Sequence, residues 1–273
     1  MPEISVVHLV WAPLGTAPLE RFARSYRQHA AGIDHRLVIA FNGFDDEEAL
    51  SAARAVVDDL PHEAVRLPRP RLDLAAYREV AAERTTATFL CFLNSYSELL
   101  TDDWLRSLIG HLEDQRVGMI SATGSMESAY TAWPPVQRLL RRPRYPPFPN
   151  PHLRSNAFAI RRETMLELRW PGVRTKGGAL ALESGRRSVT RQLWARGLQT
   201  LVVGRDGEAY DVDRWHASAT FRSGAQANLL VADNRTQQFA SADPAFRRRL
   251  TELAWGSQAA EPLDAAPRPG PTA

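Results

Sequence analysis

Small polar residues follow the most apolar run of the sequence, in the segment FLCFLNSYSELL at residues 89–100. The run that ends at Leu93 is apolar on both faces of a strand, as expected at the centre of a covered sheet. Ligands of open α/β sheets gather at the carboxyl ends of the strands, so residues 94–98 stand where polar groups can meet a ligand. A capped loop that only leads towards Trp104 is the alternative that these residues leave open.

Three other predicted strand ends carry turn-forming or hydrogen-bonding residues. The first strand closes in residues 12–15, the second in Asn42-Gly43, and a later strand runs into residues 123–128. Together with residues 94–98, these segments mark the edge of the sheet at which we expect a ligand.

The elements that must position these residues follow a regular alternation of short apolar runs and amphipathic stretches. This pattern is typical of a largely parallel sheet flanked by helices. The predicted strands occupy residues 4–11, 37–41, 64–67, 88–93, 117–122, 155–160 and 200–203. Helices are predicted over residues 16–29, 46–60, 73–81, 162–168 and 184–196, the first of them capped by Thr16, with a further capped helix start at residues 101–104 and a Gly-rich loop at residues 176–178.

The composition favours a globular enzyme. The 273 residues carry a formal charge of +3, and Lys176 is the only lysine, so nearly all positive charge is arginine. The arginines form no basic stripe interleaved with aromatic residues, which argues against nucleic-acid binding. No apolar run approaches the length of a membrane span, and the single cysteine, Cys91, allows no intrachain disulfide. We therefore expect a cytoplasmic protein with at most peripheral membrane association.

One domain is expected over residues 1–258, followed by a Pro/Ala-rich, disordered tail at residues 259–273. Within the domain, residues 126–151 form an irregular excursion, because six prolines fall between positions 134 and 149. Excursions of this length usually cover a site or are disordered. The sequence does not determine the oligomeric state.

The order of these features resembles the inverting glycosyltransferases of family two, which have the GT-A fold. The matching features are the turn after the first strand, Asn42-Gly43, the segment LDLAAYREVA and the segment FLCFLNSYSELLTDDWLRSL, within a resemblance that covers residues 4–240. The resemblance implies an α/β fold with a mostly parallel central sheet, divided into a Rossmann-like nucleotide-binding half and an acceptor half. It also implies a nucleotide-sugar donor and a hydroxyl acceptor.

The resemblance assigns the donor site to residues near the strand ends. Pro13 and Leu14 would hold the nucleoside, Asn42 would lie beside them, and Asp73 would hydrogen-bond the base or ribose. A plain helix cap is the alternative for Asp73. The other donor-site residues that the resemblance implies are Asn94, Ser95, Tyr96, Arg154, Asn156 and Arg187.

The metal motif is where the sequence departs from the family. The family's strand typically ends in Asp-x-Asp, whereas this chain has Asn94-Ser95-Tyr96. Asparagine and tyrosine cannot supply the negative charge with which two carboxylates hold a divalent cation. Two alternatives follow. Either a Mn²⁺ or Mg²⁺ ion is bound by Asn94, Glu98 and His216, or arginines and helix N-termini bind the diphosphate without an ion.

Glu183 is the catalytic base that the resemblance implies, because the family has an acidic motif at a helix start that matches Glu183-Ser184. One carboxylate must remove the proton of the acceptor hydroxyl as that hydroxyl attacks the anomeric carbon. An acid at a helix start also interacts favourably with the helix dipole, so a structural role is the alternative. Residues 221–229 and 232–236 are dense in hydrogen-bonding groups, and they close over the diphosphate, hold the acceptor or serve as loop and helix caps.

The sequence therefore predicts a glycosyltransferase of the hexosyltransferase class that transfers a sugar with inversion to a cell-surface glycan or a metabolite. A non-catalytic nucleotide-sugar-binding protein of the same fold is one alternative, because the metal motif is weakened. A sugar nucleotidyltransferase is another. It is disfavoured because the first strand lacks the Gly-rich, Arg/Lys-bearing loop that grips a triphosphate.

Overall fold

The computed structural model describes residues 3–130, 140 and 142–260, so parts of the predicted excursion and tail lie outside the described residues. In chain order the strands are β1 Ile4–Trp11, β2 Arg36–Asn42, β3 Glu63–Arg66, β4 Phe89–Leu93, β5 Glu98–Leu99, β6 Val117–Ser121, β7 Gly124–Ser125, β8 His152–Leu153, β9 Ala157–Arg161, β10 Gln199–Val203, β11 Ala209–Tyr210 and β12 Val231–Ala232. The helices are α1 Ala17–Gln28, α2 Glu47–Ala55, α3 Asp73–Glu83, α4 Trp104–Gly110, α5 Arg162–Glu167, α6 Lys176–Ser184, α7 Val189–Trp194, α8 Asn234–Ser241 and α9 Pro244–Trp255.

The described residues contain one sheet of eight strands, in the order β11-β10-β6-β9-β4-β1-β2-β3. The strands β1, β2, β3, β4, β6 and β10 share one direction, whereas β9 and β11 run against their neighbours. The predicted α/β fold with a mostly parallel central sheet flanked by helices is confirmed.

The helices cover both faces of this sheet. Along β1, Val6 and Val10 join the core on the face of α1, α2 and α4, while Val7 and Leu9 join the core on the face of α3, α5 and α7. Strands buried on both sides have near-continuous apolar sequences, which is why β4 is buried at all five positions. No helix among residues 3–130 and 142–260 combines the length and the apolar character needed to cross a membrane.

The reversed direction of β9 determines which residues meet at the site. Because β9 is antiparallel to both β4 and β6, the residues that precede it lie beside the residues that follow those two strands. The backbone N–H of Asn94 accordingly donates to the carbonyl of Asn156 at 2.9 Å. The segment 154–156 thus reaches the edge at which the sequence predicts a ligand.

Two predicted helix starts are wrong in their capping. Thr16 precedes α1, but its hydroxyl donates to the carboxylate of Glu20 at 2.7 Å and caps no backbone N–H. At α4, Asp103 is in the left-handed conformation with φ 57°, and Asp102 instead accepts from the backbone N–H of Ala30 at 3.0 Å. In the second case, Asp102 binds the backbone of a distant segment and therefore does not cap α4. The helix predicted over residues 46–60 is also shorter, since α2 ends at Ala55.

The Gly-rich loop predicted at residues 176–178 is wrong, because these residues form the first turn of α6. The hydroxyl of Thr175 caps this helix by accepting from the N–H of Gly178 at 3.0 Å. A Cβ atom at Gly178 would lie 1.7 Å from the carbonyl oxygen of Gly172, so glycine is needed for close packing rather than for a loop. The helix predicted over residues 184–196 is replaced by the end of α6 and by α7.

Candidate active site

Glu183 lies in the last turn of α6, not at a helix start as predicted, so the helix dipole does not favour its charge. Instead, its Oε1 accepts hydrogen bonds from both the backbone N–H and the hydroxyl of Ser155, each at 2.9 Å. Ser155 belongs to the segment before β9. A half-buried carboxylate held by two donors is oriented in one direction, as a general base requires.

Asp73 is a second acid on the same side of the sheet, at the first position of α3. Its side chain is exposed at the surface, although the surrounding protein removes part of its hydration. Loss of hydration and, after it, the negative charge of Glu183 raise the pKa of Asp73 to about 6. The structure therefore brings Asp73 and Glu183 close enough to repel each other, although they are far apart in the chain. The N-cap position belongs to Leu72, so Asp73 is not the cap of α3.

The polar loop after β4 is folded on itself. The side-chain oxygen of Asn94 accepts from the N–H of Tyr96 at 3.0 Å and from the hydroxyl of Ser97 at 3.2 Å. This is a side-chain turn that positions the loop without a ligand. Ser95 is buried and Tyr96 is half-buried beside it.

The predicted nucleoside residues occupy the ends of β1 and β2. Pro13 and Leu14 form a single 3₁₀ turn after β1, with Pro13 exposed. Asn42 is fully buried and exchanges two hydrogen bonds with the backbone of Arg71, at 2.7 and 2.9 Å. Its amide group therefore anchors the loop before Asp73, and a ligand could reach Asn42 only indirectly.

Arg154 and Asn156 join a buried polar network. The guanidinium group of Arg154 donates to Asp233 at 2.7 Å and to Thr123 at 3.2 Å. The hydroxyl of Thr123 in turn donates to the side-chain oxygen of Asn156 at 2.7 Å. Asp233 is 1 % exposed, and burial alone would raise its pKa, but Arg154 and backbone N–H groups outweigh burial and lower it. This network fixes the segment from which Ser155 holds Glu183.

A pocket of about 440 Å³ opens beside Glu183. Its charged and polar wall contains Glu127, His152, Arg154, Glu183, Arg222 and Arg235. Burial lowers the pKa of His152, so this side chain is neutral near pH 7. The pocket thus combines two carboxylates, those of Glu127 and Glu183, with three guanidinium groups. A larger groove of about 740 Å³ lies at the amino ends of β1, β2 and β4, on the opposite edge of the sheet, away from all of these groups.

Comparison with known proteins identifies the architecture that carries this pocket. The sequence matches no protein-family model and no curated protein. Among solved structures, GalNAc-T7 in a complex with UDP, GalNAc and Mn²⁺ superposes with a TM-score of 0.50 at 15% identity, over 92% of this chain and 52% of that chain. The chain has the GT-A fold.

Two further solved structures are similar at lower TM-scores. A mannosyltransferase from Pyrobaculum calidifontis, in a complex with GDP-Man and Mn²⁺, has a TM-score of 0.49 at 17% identity, over 95% of this chain and 73% of that chain. Glucosyl-3-phosphoglycerate synthase from Mycobacterium tuberculosis has a TM-score of 0.39 at 18% identity, over 59% of this chain and 57% of that chain. The chain therefore spans only about half the length of two of these three structures.

The GT-A fold raises the question of whether this site suits a divalent cation. Asn94 already accepts two hydrogen bonds in its own turn, the carboxylate of Glu98 accepts from Gln237 at 3.1 Å, and His216 packs on Trp255 with ring centroids 5.4 Å apart. The described ranges contain no group of three His, Cys, Asp or Glu side chains that could hold a metal ion. The donor set at the loop after β4 therefore does not fit a divalent cation, and no step of the chemistry below depends on one.

The structure brings some of the predicted site residues together and leaves others apart. Hydrogen bonds join Asn94, Arg154 and Asn156, directly or through Thr123, and Glu183 is bound to the intervening Ser155. Asp73 interacts with Glu183 through charge, whereas Arg187 is exposed and does not line the pocket. The sequence interpretation did not single out Glu127, Arg222 or Arg235. Glu127 follows β7 within a segment that was flagged as a strand end, and both arginines lie in the polar segments 221–229 and 232–236. The capping role foreseen for these segments also holds, because Asp233 caps α8.

Proposed function

We propose that this chain is a glycosyltransferase that moves a sugar from a nucleoside diphosphate to an acceptor hydroxyl with inversion, using Glu183 as the base. The observation that carries the proposal is the Glu183 carboxylate, which two donors of Ser155 orient at the wall of the 440 Å³ pocket. The GT-A fold supports it, since GalNAc-T7, whose structure contains UDP and GalNAc, shares that fold.

The proposed step needs a proton acceptor and a leaving group on opposite sides of the sugar. The free oxygen atom of Glu183 takes the proton of the acceptor hydroxyl, whose oxygen forms a bond to the anomeric carbon. The bond from that carbon to the diphosphate breaks, and its electron pair stays on the phosphate oxygen. Attack from the face opposite the leaving group inverts the configuration. Ser155 acts as a positioning residue because it orients the carboxylate without touching the substrate.

The donor would lie along the ends of β1 and β4. Pro13 and Leu14 offer an exposed turn for the nucleoside, and Asp73 offers an accessible carboxylate for the base or ribose. Asn42 anchors the loop before Asp73 through its two hydrogen bonds with the backbone of Arg71. The acceptor class, whether a cell-surface glycan or a metabolite, and the cytoplasmic location stay predictions from the sequence.

Release of nucleoside diphosphate from UDP-, GDP- and dTDP-sugars tests the proposal, with hydrolysis followed when no acceptor is added. Glu183→Gln keeps the shape of the side chain but removes its basicity, so turnover is expected to fall at least about a hundredfold. Ser155→Ala is expected to lower kcat about tenfold with little change in KM. Glu252→Gln, on the exposed side of α9, is the matched control and is expected to retain full activity.

A non-catalytic nucleotide-sugar-binding protein is the second candidate, because Asn94 has no carboxylate to offer a metal ion. It predicts that thermal shift detects binding of a nucleotide sugar while no donor is turned over with any acceptor. Binding without turnover by both the wild-type protein and Glu183→Gln would support this candidate over the transferase, whereas equal turnover by the two would exclude Glu183 as the base.

A further inference from the structure

Arg222 is a buried arginine that lines the pocket beside Glu183. It is 5 % exposed, and its Nη1 donates to Glu127 at 3.0 Å, yet its Nε is buried and finds no acceptor among the described residues. Buried polar groups are normally paired, and an unpaired donor on a buried cation destabilises the folded state. Arg222 nevertheless lines the 440 Å³ pocket, so its side chain can contact a ligand there.

The backbone of Arg222 is also in an unfavourable conformation. Its φ angle is 45°, in the left-handed region that residues other than glycine rarely adopt. Gln226 stabilises this conformation: its Oε1 accepts from the N–H of Arg222 at 3.1 Å, and its Nε2 donates to the carbonyl of Thr236 at 3.0 Å. The loop is therefore held against the first turn of α8, where Arg235 lies. Strain that surrounding contacts enforce is typical of functional positions.

Of the three arginine side chains that line the pocket, only Arg235 forms no ion pair among the described residues. Phe221 lies between two guanidinium groups, with the Cζ atoms of Arg154 and Arg222 at 4.2 and 4.9 Å from its ring centroid. Arg154 is already bound to Asp233, whereas Arg235 is exposed at the pocket. Arg222 and Arg235 can therefore present donors to one bound anion, and guanidinium groups bind phosphate oxygens in pairs of hydrogen bonds.

We propose that Arg222, together with Arg235, binds the diphosphate of the nucleotide-sugar donor and so replaces a divalent cation in this site. This inference rests on the proposed function. The two guanidinium groups stabilise the negative charge that gathers on the diphosphate as the bond to the sugar breaks. The donor set of the loop after β4 agrees, because Asn94 is bound within its own turn.

Isothermal titration of the full chain with UDP, GDP and dTDP tests the inference, once in EDTA and once in MnCl₂, with the matching nucleosides as a second series. The wild-type protein is expected to bind one of the diphosphates in EDTA with an affinity within about twofold of that in MnCl₂. Arg222→Gln is expected to weaken this binding about tenfold to a hundredfold and to leave nucleoside binding unchanged. Arg248→Gln, an exposed change of the same kind on α9, is the control.

Arg235→Gln provides a second variant, because Arg235 is exposed and its loss should not affect folding. It is expected to weaken diphosphate binding about threefold to tenfold, with an unfolding temperature like that of Arg248→Gln. Binding that requires MnCl₂, or arginine variants that bind as tightly as the control, would overturn the inference and leave the glycosyltransferase proposal intact. No binding of any diphosphate in either buffer would contradict both.

Discussion

The two sides of the cleft satisfy their polar groups in different ways. Beside β1, β2 and β4, the amide of Asn42 is bound by the backbone of Arg71, and the side-chain oxygen of Asn94 is bound within its own turn. On the opposite side, Asn156 and Arg222 each keep a buried nitrogen atom with no acceptor in the described part of the chain. Buried polar groups are normally paired, so Asn42 and the side-chain oxygen of Asn94 are satisfied within the chain, whereas Asn156 and Arg222 are only partly paired.

The difference follows from how each side is built. On the first side, Asn94 finds its partners within its own turn, and Asn42 binds the backbone of the loop that precedes α3. The second side assembles charged groups from distant segments, such as the Arg154–Asp233 pair and the Arg222–Glu127 pair. Charges assembled in this way interact strongly at low dielectric, but their desolvation is compensated only when every donor finds an acceptor.

The largest effect is expected at Asp233, the counterion of Arg154. Asp233→Asn keeps a side-chain oxygen for capping α8 but leaves Arg154 buried without an opposite charge. The free energy of unfolding in urea is expected to fall by about 3 kcal/mol near pH 7. Because the folded protein lowers the pKa of Asp233, this contribution is present above the ordinary aspartate pKa and is lost as the pH falls below it.

Asp243→Asn is the control for this change, because Asp243 caps α9 from an exposed position and forms no ion pair in the described residues. Its expected effect is below about 0.5 kcal/mol. Equal losses for the two variants would show that capping, not the buried charge pair, stabilises this side of the cleft.

A smaller effect is expected at Asn42, on the self-contained side. Asn42→Ala removes two hydrogen bonds and leaves the backbone groups of Arg71 without partners, which is expected to lower the free energy of unfolding by about 2 kcal/mol. Urea denaturation measures the loss. Asn234→Ala, at an exposed position, provides the comparison. An unchanged stability for Asn42→Ala would mean that these two hydrogen bonds do not stabilise this side of the cleft.

The smallest effect is expected at Asp73, and it depends on pH. Its pKa of about 6 in the folded protein exceeds the ordinary aspartate value, so the folded state binds the proton more tightly than the unfolded state does. The stability of the wild-type protein should therefore decline as the pH rises from about 4 to about 6 through this group.

Thermal unfolding across this pH range compares the wild-type protein with Asp73→Asn. The variant lacks the ionisation, so it should be slightly more stable than the wild-type protein near pH 7.5 and equal to it near pH 4. A difference of the same size at both pH values would show that the negative charge of Asp73 is not disfavoured by its surroundings. That result would also remove the evidence that Asp73 faces Glu183.

Much of the fold could be predicted because its strands are buried on both sides. A strand such as β4 is apolar on both faces whichever helices cover it. Its position and its central place in the sheet therefore follow from its composition. Helix caps were predicted less well. Asp102 has the residue type of a cap, but a backbone N–H of another segment binds it instead. Local preference cannot anticipate a competing partner 72 residues away.

The candidate site was predictable only where it lies on strand ends. Glu183 was selected for its residue type and its order in the chain, yet its expected support by a helix start is wrong, and Ser155 holds it instead. Arg222 was merely one residue in a polar segment, because its left-handed backbone and its burial do not appear in the local pattern. The glycines at residues 177 and 178 misled the prediction, since close packing and a loop both require glycine.

The sequence by itself determined the alternation of strands and helices, the apolar centre of the sheet and the loss of carboxylates at Asn94-Ser95-Tyr96. These properties belong to residue types at neighbouring positions. Only the tertiary structure decided that reversing β9 brings Ser155 to Glu183, and that Arg222 and Arg235 share one pocket. Such contacts join segments tens of residues apart, and their geometry depends on the packing of the whole sheet rather than on any local preference.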